Sequence, residues 1–122
     1  MIKNKSGVWG ELYTARYLRD NKYDIISSDY ACRAGEIDIV AMKNNTLCFV
    51  EVKARSENAL LRPADAVDKE KRKRIILAAR NFLSFSKLDC KTRFDVCEII
   101  LSDDFKMKSL NYIENAFQAD RL

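Results

Sequence analysis

Two runs rich in Ile, Val and Phe, residues 36–42 and 46–53, flank the short polar segment Lys43-Asn44-Asn45-Thr46. Asparagine tolerates the positive φ that a tight hairpin turn demands, so the pair is predicted to fold as an antiparallel β-hairpin. A two-residue loop at Asn44-Asn45 fixes the register: Thr46 faces Lys43, Leu47 faces Met42, Glu51 faces Asp38 and Lys53 faces Glu36. Strand side chains alternate between faces. Glu36, Asp38 and Val40 therefore share one face of the first strand, and Ile37 and Ile39 the other; Phe49, Glu51 and Lys53 share a face of the second. Two carboxylates then meet with Cβ atoms roughly 4.5–5.5 Å apart. Like charges so opposed destabilise a sheet unless something neutralises them. A hard divalent cation, Mg²⁺ or Mn²⁺, is the natural neutraliser, since it favours carboxylate and water oxygens. Lys53 lies on the same face, where an ammonium can hold a phosphate, stabilise developing charge or orient an attacking water. A slip of one residue would part the acids.

The rest of the chain supplies a frame. Residues 8–20 read as a helix started near Ser6 and Gly7, with Val8, Leu12, Ala15 and Leu18 as its apolar stripe. Glu11 falls inside that stripe, between Ala15 and Leu18, instead of on the wet face. Residues 23–30 suggest a modest strand. Residues 55–63 are a polar loop closed by Pro63, and 64–86 a long helix with Ile75, Ala78, Ala79, Phe82 and Leu83 on its buried side. Residues 93–101 form a further strand, and the segment from Tyr112 to Phe117 is a short helix or an extra strand. The order αβββαβ predicts an α/β fold, a mixed central sheet flanked by helices. With no internal repeat or linker, residues 1–122 are expected to form one domain.

Charge and missing residue types narrow the chemistry. The net charge is +4, but residues 53–93 hold 12 basic and 5 acidic side chains, against 7 of each in residues 1–52. The middle third is the candidate surface for a polyanion. Histidine is absent, which removes Ser-His-Asp and Cys-His catalysis and most catalytic zinc sites. Carboxylate and lysine chemistry is left. Cys32, Cys48, Cys90 and Cys97 show no C-x-x-C spacing, so neither a zinc site nor a disulfide framework is expected. No signal peptide or membrane span is read in the sequence, and the expected location is cytoplasmic.

The motifs Gly7-x-x-Gly10-Glu11-x-x-x-Ala15, Gly35-Glu36-Ile37-Asp38, Phe49-Val50-Glu51-Val52-Lys53-x-Arg55, Ala66-Val67-x-x-x-Lys71 and Arg93-Phe94-Asp95-Val96 stand in this order. Together they resemble the YraN family, and Asp38-x12-Glu51-x-Lys53 resembles the PD-(D/E)xK nuclease signature. The resemblance runs from about Gly7 to about Val96. It implies a restriction-endonuclease-like αβββαβ core, related to archaeal Holliday-junction resolvases. It implies a Mg²⁺- or Mn²⁺-dependent endonuclease acting on DNA, with branched or structured DNA among the substrates to consider. Asp38 and Glu51 would ligate the metal, assisted by the Val52 carbonyl; Lys53 would be the catalytic lysine and Glu11 a further acid. One departure is Ser28-Asp29-Tyr30, where the family usually has Arg-Asn-Tyr; it is expected to alter a phosphate contact and to leave the metal site untouched.

Lys71, which matches a family position, is the first candidate for a phosphate contact; Arg55 and the Arg72 and Arg74 of the charged run 69–74 follow. The same run also reads as an ordinary solvated helix face. Glu36 reads as a cross-strand ion-pair partner for Lys53, and Asp95 as a structural acid paired with Arg93. DNA is the expected partner, with no membrane and no small-molecule cofactor, and symmetric cutting of two strands points to a homodimer. Two alternatives stay open: a catalytically weak nucleic-acid-binding module of the same fold, and an adaptor that binds protein through the basic helix.

Overall fold

The computed structural model describes residues 3–58 and 67–119. The elements are α1 (Lys5–Asp20), β1 (Asp24–Cys32), β2 (Gly35–Lys43), β3 (Thr46–Ser56), α2 (Lys69–Ser86), β4 (Lys91–Leu101) and β5 (Met107–Phe117). The strands form one mixed sheet in the order β1-β2-β3-β4-β5. Neighbours are antiparallel except β3 and β4, which run parallel through the α2 crossover. The fold is α/β and consistent with a restriction-endonuclease-like core. No helix among the described residues is long and apolar enough to cross a membrane.

Among the described residues, each face of the sheet carries one helix. Leu47 and Phe49 of β3 pack with Ile75, Ile76, Ala78 and Ala79 of α2. The alternate residues Cys48 and Val50 pack with Leu18 of α1. Phe49 stacks on Phe94, which in turn stacks on Phe117, and this ties β5 to the α2 side. The segment from Tyr112 to Phe117 is thus the end of a strand. All four cysteines are free thiols, and Cys48 is buried as its apolar neighbours predict.

Helix starts are set by caps. Asn4 caps α1, its Oδ1 accepting the Gly7 N–H at 2.8 Å, so the helix begins ahead of Ser6 and Gly7. The side turned to the sheet is Gly10, Thr14 and Leu18, not the full stripe expected, and Val8 and Leu12 remain exposed. Gly10 explains the rotation. A Cβ there would stand 2.6 Å from Ala54 Cβ and 3.2 Å from Val52 Cγ1, so only glycine lets α1 lie this close to β3. Asp68 caps α2, accepting the Lys71 N–H at 2.8 Å, and helical structure starts at Lys69. Residues 64–66 of the expected helix, and Pro63 with most of the polar loop, lie outside the described residues. Gly35 does for α2 what Gly10 does for α1: an added Cβ would meet the Arg74 carbonyl oxygen at 2.9 Å.

The hairpin forms in the predicted register, with Asn44 and Asn45 at φ 48° and 61°. Pairing runs from Lys43–Thr46 to Ile39–Val50 and stops there. The next pair would be Asp38 with Glu51, and beyond it Glu36 with Lys53. The ladder reaches neither, and Glu36 pairs instead with Ala31 of β1. Alternation also fails at this point. Ile37 packs on the α2 side with Val40, whereas Ile39 packs on the α1 side, so the two do not share the face expected of them. Asp29 on β1 takes a φ of 53° between the pairs Ser28–Ile39 and Tyr30–Ile37. A left-handed residue there turns the strand, and β2 leaves β3 at Asp38.

Candidate active site

The parting of β2 and β3 opens a cleft of about 470 Å³. Gly10 and Gly35 bring the two helices to its walls. Glu11 enters from α1, Glu36 and Asp38 from β2, Glu51 and Val52 from β3, Lys71 and Arg74 from α2. Asp38 takes the place of a ladder partner: its Oδ2 accepts the Val52 N–H at 2.8 Å. A residue's N–H and C=O point to the same side of an extended strand, so the Val52 carbonyl also faces the gap. The two acids therefore meet at a divergence of strands and not as a regular cross-strand pair, because the side chain of Asp38 does the bridging that the β2 backbone abandons.

Glu51 is 7% exposed. Burial, and then the charge of Asp38, push its carboxyl up to about 7, against the opposing pull of Lys71. The Lys71 ammonium lies 2.8 Å from Glu51 Oε1, so this residue touches the acid itself. Around Asp38 a second set converges. The Lys3 ammonium contacts Asp38 Oδ1 at 2.6 Å and Asp29 Oδ1 at 2.9 Å, and it also pairs with Glu11. Carboxylate oxygens of Glu11, Asp29 and Asp38 lie within 4.8 Å of one another. Burial pushes the Glu11 carboxyl up to about 7, aided by Asp29 and Asp38 and opposed by Lys3. Burial works against the Lys3 ammonium, yet its carboxylate partners outweigh that and hold it above its ordinary value.

Asp29 corrects one expectation. The departure Ser28-Asp29-Tyr30 does not lie apart from the acidic site; its carboxylate belongs to the cluster. Extending the register across the β1–β2 turn would have found it, since Asp29 falls between two observed pairs that bracket Asp38. Lys3 carries no comparable signal, because it precedes the helix and has no periodic neighbour.

Other predicted residues are dispersed. Lys53 stands beside Glu98 in the parallel ladder. It lines a neighbouring depression with Arg55, Glu98, Ser109 and Asn111 and is not among the residues that line the Glu51 cleft. Arg72 stays exposed and is engaged away from the cleft: its Nε donates to the Val67 carbonyl at 2.7 Å, and its guanidinium lies over the Phe117 ring. Of the charged run, Lys71 and Arg74 reach the cleft. Asp95 is structural, as expected. It is fully buried and accepts from Arg93 Nε and Nη2 at 2.9 Å each, from the Tyr112 hydroxyl at 2.6 Å and from the Asn115 N–H at 2.9 Å.

The chain is similar over residues 10–99 to uncharacterised protein family UPF0102. A UPF0102 protein of Clostridium perfringens is 38% identical over 117 residues, covering 94% of this chain and 96% of that one. Another, of Chlorobium chlorochromatii, is 47% identical over 90 residues, 74% of this chain and 70% of its own. One from Alkaliphilus oremlandii is 38% identical over 119 residues and covered in full. The chain belongs to this family, the one its motifs indicate, and the relatives' names state no activity.

Proposed function

We propose that this member of UPF0102 is a divalent-metal-dependent endonuclease that hydrolyses phosphodiester bonds in DNA. The observation that carries the reading is the convergence of Asp38 and Glu51 on either side of Val52, at the mouth of a cleft rimmed by Lys71 and Arg74. The residues fit a hard cation. Burial and its neighbour's charge raise the Glu51 carboxyl to about 7, and the carboxylates on the Asp38 side already gather round a positive group, the Lys3 ammonium. Asp38 and Glu51 would hold the ion, with the Val52 carbonyl and Glu11 in reach of the same cleft. Bound there, a divalent ion would supply Lewis-acid polarisation of the phosphate and a more acidic water.

The chain's own groups supply the rest. Hydrolysis adds a water oxygen to phosphorus and breaks one P–O bond, leaving a phosphate monoester and a free hydroxyl. Negative charge grows on the phosphoryl oxygens on the way. Lys71 at the cleft and Lys53 on the same strand face as Glu51 are the ammonium groups suited to oppose it. Arg74 at the rim and Arg55 beside Lys53 suit contacts to flanking phosphates, which position the polymer without reading its sequence.

One observation favours a second reading. Lys53 lines the adjoining depression instead of the acidic cleft, as it would in a nucleic-acid-binding module of the same fold with weak catalysis. A cleavage panel separates the two: linear, nicked, flap and four-way DNA, and RNA, each with Mg²⁺, Mn²⁺ or EDTA. The nuclease reading predicts scission that needs the divalent ion and disappears in Asp38→Asn and in Lys53→Ala. Salt-sensitive binding with no scission on any substrate supports the binding module, and undiminished cleavage by the doubly substituted protein refutes the site.

A further inference from the structure

We infer that the Lys3 ammonium occupies the Asp38 side of the proposed cation site, and that a divalent ion takes up Asp38 only as the Lys3 ammonium leaves. This rests on the metal-binding reading above. An ammonium has three N–H donors, and the partners of this one come from three separate elements: Glu11 of α1, Asp29 of β1 and Asp38 of β2. Their oxygens lie within 4.8 Å of one another, an opening for one cation. A divalent ion drawing on Asp38 and Glu11 would stand within a few ångströms of the ammonium. Repulsion at that separation, in a partly buried cleft, sets the ion and the ammonium in competition for the same Asp38 and Glu11 oxygens.

The geometry also lets Lys3 depart without uncapping α1. The helix cap is Asn4, whose side chain holds the Gly7 N–H, and that bond does not involve the Lys3 side chain. Lys3 can therefore swing out by side-chain rotation while α1 stays capped. Glu11 and Asp38 are left in place for the incoming ion. Lys3 thus sets the divalent concentration at which the cleft loads. Apparent affinity is the intrinsic affinity scaled by the fraction of molecules in the open state, so a site closed in about nine molecules of ten would load about tenfold more weakly than an unblocked one.

The test is Mn²⁺ binding by calorimetry to the wild-type chain, Lys3→Met and, as a control, Lys5→Met. Lys3→Met is expected to bind about tenfold more tightly, and Lys5→Met to match the wild type. A second measurement needs no variant. Amine acetylation of the wild-type chain, read by mass spectrometry, should find Lys3 protected in EDTA relative to Lys5 and reactive once Mn²⁺ is added. Equal affinity in a folded Lys3→Met, or Lys3 acetylation indifferent to Mn²⁺, overturns the inference. If Mn²⁺ binds to neither the wild type nor Lys3→Met, the metal-binding reading fails and the competition falls with it.

Discussion

The Asp38 carboxylate accepts the Val52 backbone N–H at 2.8 Å across the point where β2 departs from β3. One side chain therefore closes the sheet and equips the cleft, and substitutions there separate the two roles. Asp38→Ala leaves the Val52 N–H without its partner and should cost about 1–3 kcal/mol of stability. Asp38→Asn keeps an acceptor and should fold nearly as stably as the parent. Both should lower divalent-dependent cleavage at least about 100-fold, which is about 2.7 kcal/mol of transition-state stabilisation. Urea unfolding in EDTA, set beside a cleavage assay, reads both effects.

The metal-free protein should lose stability as pH rises from about 5 to 8. The Glu51 carboxyl has an ordinary value of 4.5 and reaches about 7 in the folded chain. Between those values the folded state binds more protons than the unfolded state, so stability falls with rising pH across that window. Glu11, raised for the same reason, adds to the slope. Melting temperature in EDTA at pH 5 and pH 8 checks this. Glu51→Gln should flatten the dependence and melt higher than the parent at pH 8 while losing activity. Saturating Mn²⁺ should remove the penalty in the parent. A parent protein whose melting temperature in EDTA rises across this range would contradict the assignment.

Asp95 should behave as a purely structural acid. It is fully buried, and three partners depend on it: Arg93, Tyr112 and the Asn115 N–H. Asp95→Ala leaves the half-buried Arg93 with only Glu114 as counter-charge and takes the acceptor from the Tyr112 hydroxyl and the Asn115 N–H, and should cost about 1–3 kcal/mol for each buried donor left unsatisfied. Cleavage per folded molecule should stay near the parental rate, because the group lies between β4 and β5 and not on the cleft. A stable Asp95→Ala protein with abolished cleavage would move this residue into the site.

Gly10→Ala tests how α1 is positioned. The new methyl would meet Ala54 Cβ at 2.6 Å, and both are short side chains that cannot swing aside. Overpacking of this kind costs about 1–3 kcal/mol. The helix can relieve it only by moving off β3, and Glu11 moves with it. Reduced cleavage alongside reduced stability is expected, whereas Val8→Ala, on the exposed side of the same helix, should change neither appreciably. Thermal melting and single-turnover cleavage together distinguish them.

The hairpin was legible because period-2 patterning and the Asn-Asn turn fix register over every pair they govern. The register failed to carry through to Asp38 and Glu51 because nothing local announces where two strands part. The parting falls opposite Asp29, whose left-handed φ belongs to β1. The orientation of α1 departs from its apolar stripe for a related reason. Its apolar residues Val8 and Leu12 suggested the buried side, but closeness of approach decided it, and that is a property of Gly10 against Ala54. Glu11 stands out in the sequence because a carboxylate among apolar neighbours is conspicuous, and it lines the cleft. Lys3 and the Lys71–Glu51 contact depend on tertiary placement, which spacing along the chain does not encode. Arg72 illustrates the converse, since its place in the charged run suggested a phosphate contact while at the start of α2 its guanidinium is engaged by the Val67 carbonyl and the Phe117 ring.

The most direct test is anomalous diffraction from crystals of the wild-type chain soaked in Mn²⁺, collected alongside crystals of Asp38→Asn. An anomalous peak in the cleft, coordinated by both the Asp38 and Glu51 carboxylates and missing from Asp38→Asn, is the predicted result. A cleft that stays empty at saturating Mn²⁺, or an ion bound equally well in both proteins, would contradict the account.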